Sequence, residues 1–156
     1  MNRLRRYLVM FRIIICRNGY TRADYLRRKH YFKSIGKHVY LQPWNYGTEP
    51  YLISLGDNVH IASKVLFVNH DITSMMFNYM DDQNKYKLRQ GEINIGNNVF
   101  IGANTTILYD VSIGDNVIVG AGSLVNKHIP SGTVVAGVPA KIIGSFDEYK
   151  QKMLIK

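Results

Sequence analysis

The sequence predicts an all-β protein built as a parallel solenoid of six-residue repeats, and three features of residues 95 to 129 carry that prediction. Every sixth residue is aliphatic: Ile95, Ile101, Ile107, Ile113, Val119 and Val125. Four positions after each of these comes a small or β-branched residue: Val99, Thr105, Val111, Val117, Ser123 and Ile129. Gly, Asn and Asp crowd the intervening positions, where they suit tight turns. Each repeat is therefore a short strand and a corner, with two side chains directed inward.

Residues 1 to 33 form a basic N-terminal segment that is predicted to be helical. Leu4, Leu8, Phe11 and Ile15 recur at helical spacing. Thr21 to Asp24 have the spacing of a capping box, which would open a second helix ending near Phe32. Two roles fit this segment: a cap over the open end of the solenoid, and binding to an anionic membrane surface.

The excess positive charge of the chain lies entirely in that segment. Residues 1 to 33 carry ten Lys/Arg and one acid, Asp24, whereas residues 34 to 156 carry ten residues of each sign. A neutral body argues against a nucleic-acid-binding face and favours a local anionic contact. The single cysteine, Cys16, has no intrachain partner, which indicates a cytoplasmic protein, with peripheral contact at the inner face of the membrane as an added interpretation. The apolar run from Tyr7 to Cys16 is too short to cross a bilayer and lacks a signal-peptide cleavage site.

The same repeat occurs upstream, but its register slips twice. Aliphatic or aromatic residues hold the frame at Ile35, Leu41, Leu55, Ile61 and Phe67. Between Leu41 and Leu55 the spacing exceeds two repeats by two residues, an excess assigned to the turn-rich segment 44–50. Residues 72 to 92 lose the period and are predicted to protrude as a loop. The solenoid domain is thus expected over residues 34 to 144, with a helical C-terminal tail over 145 to 156.

One corner of the predicted solenoid consists of small residues. Three repeats per coil would stack residues 18 positions apart. The corner then has three columns: Gly102, Gly120 and Val138; Ala103, Ala121 and Pro139; Asn104, Gly122 and Ala140. Such a corner offers a smooth channel with approachable backbone to a long, thin acyl carrier. Small residues are also what a tight corner requires by itself.

Residues 34 to 144 resemble the hexapeptide-repeat acyltransferases. The most specific match is 137–143, Gly-Val-Pro-Ala-Lys-Ile-Ile, which is similar to the motif that follows the last coil and helps to bind coenzyme A. Segments 48–53 and 69–71 resemble those of surface-polysaccharide O-acetyltransferases and of the related streptogramin and chloramphenicol acetyltransferases. The sequence departs from the pattern at Gly144, where many members have arginine. The resemblance implies a left-handed parallel β-helix, a homotrimer, and acetyl-CoA as donor.

His70 is the predicted general base. It is the histidine at which the repeats break into the long loop, and it matches the catalytic position of the family. A sugar hydroxyl must lose its proton as it attacks a thioester, and histidine, which titrates near pH 6.5, suits that task. Asp71 is a second catalytic candidate, as the group that orients His70, although neighbours on an extended segment point to opposite sides.

The predicted acetyl-CoA site combines the small corner with the motif after it. Its residues are Gly102, Ala103, Gly120, Ala121, Pro139 and Ala140, with Lys127 and Lys141 as candidates for the phosphates. Apolar residues of the loop, Met75, Met76, Phe77, Tyr79 and Met80, either cover the acceptor or pack between subunits.

The predicted function is transfer of an acetyl group from acetyl-CoA to a hydroxyl of a sugar or surface polysaccharide. The reaction is expected to proceed by direct attack in a ternary complex, without a metal and without nucleic acid. Alternatives are N-acetylation of an amino sugar and acetylation of an antibiotic. A zinc hydratase of the γ-carbonic-anhydrase type would require His60, His70 and His128 as ligands. A basic membrane-binding scaffold is the remaining alternative.

Overall fold

The computed structural model describes residues 3 to 154, which form a parallel β-solenoid with helices at both ends. The helices are α1 (Arg3–Ile14), α2 (Gly19–Arg28), α3 (Thr73–Met80) and α4 (Phe146–Lys152), and a 3-10 turn covers Pro50–Leu52. The strands are β1 (Ser34–Ile35), β2 (Tyr40–Leu41), β3 (Ile53–Leu55), β4 (Val59–Ile61), β5 (Leu66–Val68), β6 (His70–Asp71), β7 (Arg89–Gln90), β8 (Ile93–Ile95), β9 (Val99–Ile101), β10 (Thr106–Leu108), β11 (Val111–Ile113), β12 (Val117–Val119), β13 (Leu124–Val125), β14 (Thr133–Ala136) and β15 (Lys141–Ser145).

Three parallel sheets form the faces of the solenoid. The first sheet has the order β1-β3-β8-β11, the second β2-β4-β9-β12-β14, and the third β5-β10-β13. Strand partners such as Ile93 and Val111, or Val99 and Val117, lie 18 positions apart in the sequence. The 18-residue stacking predicted from the six-residue period is confirmed in these coils.

The two slips of register are absorbed by excursions from the coils. Ser34 pairs with Ser54, 20 positions away, so the segment between β2 and β3 holds two residues beyond a regular coil. Leu66 pairs with Thr106, 40 positions away, so 22 extra residues leave the coil between β5 and β8. The second excursion includes α3 and closes at its base through antiparallel pairing of β6 with β7.

The interior is a continuous column of aliphatic side chains. Ile101, Ile107, Val119 and Val125 are fully buried, as the repeat predicts. Burial of a side chain of this kind stabilises a fold by about 1.5 to 3 kcal/mol relative to exposure. Each coil therefore depends on its neighbours for stability, because its inward side chains are covered only by the coils above and below.

Asparagine and aspartate form a ladder along the corner between the first and second sheets. Asn58, Asn98 and Asn116 adopt positive φ angles of 54° to 56°, which asparagine tolerates better than most residues. The Asn58 amide donates to Asn98 Oδ1 (2.9 Å), and the Asn98 amide donates to Asn116 Oδ1 (3.0 Å). One position earlier, the Asn97 N–H donates to Asp115 Oδ1 (2.6 Å). The recurring Asn/Asp pairs therefore satisfy polar groups from coil to coil.

The two N-terminal helices cover the first coil. Val9 and Ile13 of α1 and Leu26 of α2 are buried in the same core as the coils. Helix α2 begins at Gly19 rather than Thr21, because the capping box is formed by Asn18 and Thr21 through reciprocal side-chain hydrogen bonds. The helix ends at Arg28, four residues before the predicted end.

A buried arginine ties these helices to the solenoid. Arg22 is 6% exposed, and its guanidinium donates to the carbonyls of Ile13 (3.2 Å), Leu41 (2.6 Å) and Gln42 (2.9 Å). Hydrogen bonds from a charged donor contribute about 1.5 to 3 kcal/mol each. Arg22 therefore joins α1, α2 and the end of β2, and it is not part of the exposed charge of the segment.

The last coil is shorter than predicted, which corrects the assignment of the small-residue columns. Val119 pairs with Val135, 16 positions away, and the N–H of Gly120 donates to the carbonyl of Val135. Gly120 therefore stacks on Ala136 and not on Val138. The two residues are lost between Val125, which pairs with Ile107 at 18 positions, and Ile129, which already pairs with Ile113 at 16. Residues 137 to 140 instead form the turn that reverses the chain into β15, antiparallel to β14.

Candidate active site

The segment between β2 and β3 is anchored in the core by one aromatic residue. Tyr46 is fully buried, packs edge-on against Phe32 at 5.0 Å between ring centroids, and donates its hydroxyl hydrogen to the Pro43 carbonyl (2.6 Å). Burial raises the pKa of its hydroxyl well above the ordinary value, so Tyr46 stays neutral. Next to it, Gly47 has a positive φ of 74°, and a Cβ there would lie 2.9 Å from the Phe67 carbonyl oxygen. The segment is therefore fixed closely against β5.

This anchored segment brings a carboxylate to His70. The Nδ1 atom of His70 lies 2.8 Å from Glu49 Oε2, and the Thr48 hydroxyl donates to the same carboxylate oxygen at 2.6 Å. The side chains of His70 and Glu49 are 31% and 13% exposed. Since a carboxylate accepts a hydrogen bond from Nδ1–H, the neutral ring carries its free lone pair on Nε2. The pair has the arrangement of a base and the group that orients it.

Asp71 occupies a different position from the one predicted for it. Its Oδ1 accepts a hydrogen bond from the Thr73 N–H (2.8 Å) and its Oδ2 lies 3.5 Å from the Tyr109 hydroxyl. The hydrogen bonds from Thr73 lower the pKa of the Asp71 carboxyl, helped by Tyr109 and by the charge of Arg89. Among the described residues Asp71 has no hydrogen bond to His70. Its carboxylate orders the start of α3, while Glu49 takes the place beside the imidazole.

Asn69, which precedes His70, is buried and has a side-chain oxygen without a hydrogen-bond partner among the described residues. It is 1% exposed, and its amide nitrogen donates to the Gly91 carbonyl (3.3 Å), which closes the base of the excursion. Asn69 and His70, with Thr48 and Glu49 opposite them, line a cleft of about 270 Å³. A hydroxyl entering this cleft would find the imidazole of His70 as a base.

The small-residue corner lies between the second and third sheets, away from His70. It comprises residues 62–64, 102–104 and 120–122 of successive coils, and it ends above at the turn 137–140. Gly102 is buried, Ala103 is half-buried and Ala121 is exposed. The hydroxyls of Thr105 and Ser123 are directed inward and donate to the Gly120 carbonyl at 3.2 and 2.7 Å.

The turn 137–140 closes the upper end of this corner. The Ala140 N–H donates to the Leu124 carbonyl (2.8 Å), and the Gly137 carbonyl accepts from the Leu124 N–H (3.0 Å). Pro139 is exposed and Ala140 half-buried. The predicted grouping of the Pro139–Ala140 turn with the corner thus holds, although the stacking interval is 16 residues and not 18.

Lys141 and Lys127 lie on different corners of the chain. Lys141 is exposed at the start of β15, next to the turn 137–140. Lys127 is exposed at the corner between the third and first sheets. His70 lies at the same corner, on an earlier coil. Within one chain the two lysines therefore do not form a single site.

The small-residue corner precedes the strands of the third sheet and His70 follows one of them, so the two lie beyond opposite ends of these strands. Lys64 precedes β5 and His70 follows it, so six residue steps separate them, which corresponds to roughly 20 Å along an extended strand. This distance exceeds the reach of a histidine side chain. His70 and the small-residue corner therefore do not meet within one chain.

The remaining candidates are dispersed over the surface. His60 stacks on Tyr40 on the outer side of the second sheet, and His128 Nδ1 lies 2.7 Å from the Ser112 hydroxyl. Over residues 3 to 154 no group of three or more His, Cys, Asp or Glu side chains has a metal-binding arrangement. In the same part of the chain no helix combines the length and apolar character needed to cross a bilayer. The predicted apolar residues of α3, from Met75 to Met80, are exposed.

The repeats and their site define the chain as a hexapeptide-repeat protein, and comparison with known proteins agrees. Residues 92–127 match the family described as bacterial transferase hexapeptide (six repeats). The chain is 46% identical over 111 residues to Protein CapG of Staphylococcus aureus, and the alignment covers 70% of this chain and 62% of that protein. It is 31% identical over 146 residues to galactoside O-acetyltransferase of Escherichia coli K12, and the alignment covers 77% of this chain and 67% of that protein. The chain belongs to the hexapeptide-repeat acetyltransferase family.

A solved structure shares the same architecture. A galactoside acetyltransferase in complex with coenzyme A matches with a TM-score of 0.65 and 25% identity, over 99% of this chain and 85% of that one. This similarity supports the left-handed coiling that the resemblance in sequence implies. The chain spans less than two thirds of the length of CapG, at 62%.

Proposed function

We propose that the protein transfers an acetyl group from acetyl-CoA to a hydroxyl of a sugar or surface polysaccharide, with His70 as general base. The observation that carries this proposal is the pairing of His70 Nδ1 with Glu49 at 2.8 Å, in a cleft at the point where the coils open. Relatives named as galactoside and lipopolysaccharide O-acetyltransferases support a sugar hydroxyl as the acceptor.

The chemistry follows from the arrangement of the pair. Nε2 of His70 takes the proton of the acceptor hydroxyl as the oxygen attacks the thioester carbonyl. The resulting imidazolium is stabilised by Glu49, which is itself held by the Thr48 hydroxyl. The tetrahedral intermediate then expels the CoA thiolate, which leaves with a proton, so the bond formed is the ester and the bond broken is the thioester. No covalent acyl-enzyme is required.

The acetyl-CoA arm is expected to follow the small-residue corner. Ala62 to Lys64 of this corner lie on the same coil as His70, two strand spacings below β13, or about 10 Å. The turn 137–140 and Lys141 lie at the upper end. A carrier with its phosphates near Lys141 and its thioester near residues 62–64 would therefore place the reacting carbonyl at the level of a histidine.

That histidine is expected to come from a neighbouring subunit of a homotrimer. The third sheet, which separates His70 from the corner, has an outer face of apolar side chains: Leu66, Val68, Leu108 and Leu124, of which Leu66 is 47% exposed. The first sheet instead presents Ser34, Ser54, Asn94 and Ser112. If the third sheet of each of three subunits faced a common axis, the apolar faces would be buried and the corner of one chain would lie against His70 of the next.

The cleft itself favours a hydroxyl-bearing acceptor. Its lining includes Asn45, Thr48 and Asn69, whose oxygen lacks a partner. A hydroxyl can donate hydrogen bonds to the oxygen atoms of this lining and accept them from its amide and hydroxyl groups. Sugar ring hydroxyls supply such donors at several positions.

The proposal is tested by following free thiol release from acetyl-CoA with a panel of sugars, oligosaccharides, amino sugars and streptogramins. Thiol release that depends on a sugar is the expected result, and His70→Ala should lower the rate by about 10²- to 10⁴-fold with little change in acetyl-CoA affinity. His60→Ala is the matched control, because His60 lies outside the cleft. Equal rates for wild type and His70→Ala with a confirmed acceptor would overturn the assignment of the base.

Lys141 provides the complementary test. Lys141→Ala should weaken acetyl-CoA binding while leaving the rate at saturating donor nearly unchanged, because the lysine is expected to contact only the donor. Lys150→Ala, on α4, is a control of equal charge. A loss of rate at saturation without a change in donor affinity would place Lys141 in the wrong role.

A further inference from the structure

Helix α1 has an apolar side that faces away from the protein. Val9 and Ile13, one turn apart, are 3% and 0% exposed, whereas Leu8, Phe11 and Ile15 are 62%, 69% and 57% exposed. At 3.6 residues per turn Leu8 and Phe11 lie on the side of the helix roughly opposite the buried pair, and Ile15 follows in the turn after the helix. Packing on the solenoid therefore accounts for only one of the two apolar sides.

Exposed arginines accompany this outer side. Arg12 and Arg17 are exposed, and neither forms an ion pair with a described carboxylate. Two other described cations of the segment are already engaged: Arg22 with backbone carbonyls and Arg27 with Asp24. Since residues 1 to 33 carry ten Lys/Arg against one acid, the surface has a strong excess of positive charge.

We propose that the outer surface of α1 and of the turn that follows it, formed by Leu8, Phe11 and Arg12 of the helix and Ile15 and Arg17 of the turn, binds the surface of an anionic lipid bilayer. The apolar side chains enter the boundary between headgroups and acyl chains, while the guanidinium groups bind lipid phosphates. A nucleic acid or another polyanion would use the arginines but would leave the apolar side chains in water. The combination of both kinds of side chain favours a bilayer.

The position of α1 permits this contact. Helices α1 and α2 cover the first coil, so the outer surface of α1 lies at the end of the solenoid and not on a sheet. The helix thus serves the fold through its inner side and the membrane through its outer side, and the two roles of the N-terminal segment are compatible.

Vesicle co-sedimentation with the full chain tests the proposal. The wild-type protein should bind vesicles of phosphatidylcholine containing phosphatidylglycerol and should bind pure phosphatidylcholine much more weakly. Arg12→Gln/Arg17→Gln should lower the affinity for anionic vesicles roughly thirtyfold, since each cation near such a surface contributes about fivefold. Phe11→Ser/Ile15→Ser should also lower it by at least tenfold. Deleting the segment is unsuitable, because Val9 and Ile13 belong to the core.

Matched controls come from the opposite end of the solenoid. Lys150→Gln/Lys152→Gln removes two cations, and Met153→Ser/Leu154→Ser removes two exposed apolar side chains. Neither should alter vesicle binding, and urea unfolding should show the same midpoint for the α1 variants as for wild type. Leu8 is kept in all variants.

Three outcomes would overturn the proposal. The first is a wild-type protein that does not bind anionic vesicles. The second is binding that is lost in the arginine variant but unchanged in Phe11→Ser/Ile15→Ser, because the contact would then be a general polyanion interaction. The third is a change in the mass measured by light scattering for the apolar variant with unchanged vesicle binding, which would make the surface a protein contact.

Discussion

Replacing Glu49 by glutamine tests the site most directly, because it keeps the shape of the side chain and removes its charge. Two unit charges at the observed 2.8 Å attract by about 1.5 kcal/mol in water and by about 6 kcal/mol at an effective dielectric constant of about 20. The His70 side chain is 31% exposed, so a value toward the lower end, about 2 to 3 kcal/mol, applies to the imidazolium.

That energy is expected to appear in the chemical step. The imidazolium forms only as the acceptor hydroxyl loses its proton, so Glu49→Gln should lower kcat by about 30- to 150-fold. The glutamine amide can also donate a hydrogen bond to Nδ1 and stabilise the wrong tautomer, which would add to the loss. The affinity for acetyl-CoA should change little, since Glu49 lies at the acceptor cleft.

The assay is the initial rate of thiol release at saturating acetyl-CoA with a confirmed acceptor. Glu148→Gln, an exposed glutamate on α4, is the matched control and should retain the wild-type rate. An unchanged urea midpoint for Glu49→Gln would show that the fold is intact. A rate within twofold of wild type, alongside an inactive His70→Ala, would refute the role assigned to Glu49.

Three further predictions follow from the shared site, the cap and the excursion. If each site joins two chains, a one-to-one mixture of inactive His70→Ala with a corner variant, Ala121→Trp, should recover about a quarter of the wild-type activity on co-refolding, whereas sites within one chain would recover none. Arg22→Met should reduce the free energy of unfolding in urea by about 2 to 4 kcal/mol, against about 0.5 kcal/mol or less for the exposed Arg28→Met. Asp71→Asn should keep near-normal activity because its amide oxygen still orders α3, while Asp71→Ala should expose residues 72–92 to proteolysis. Because the folded pKa of Asp71 is lowered, its stabilising effect is present at neutral pH and should be lost only as the pH falls below the usual carboxyl range, which proteolysis at stepped pH can follow.

The sequence alone was sufficient for the family, the repeat and the position of the excursions. Its six-residue period is local and recurs many times, so each repeat independently predicts the same coil. The loss of the period over residues 72–92 also predicted which part of the chain leaves the solenoid. His70 could be singled out because it lies where the period breaks.

The tertiary structure decided which groups meet there. Glu49 and His70 are 21 positions apart, and their contact depends on Tyr46 holding an irregular segment against β5. Such a segment has no period, so its spacing says nothing about where a side chain is directed. Adjacency made Asp71 the candidate instead, but neighbouring residues on an extended strand point to opposite sides.

The end of the solenoid likewise depended on tertiary packing. Extending the 18-residue interval from Gly120 predicted Val138 as its neighbour, whereas the shortened last coil places Ala136 there. The coil shortens between Val125 and Ile129, and how far it shortens is decided by which backbone groups can still pair. The period thus determined the stacked coils, because inward aliphatic residues at fixed spacing are buried only when neighbouring coils cover them. Irregular segments positioned the site, because their geometry depends on what they pack against.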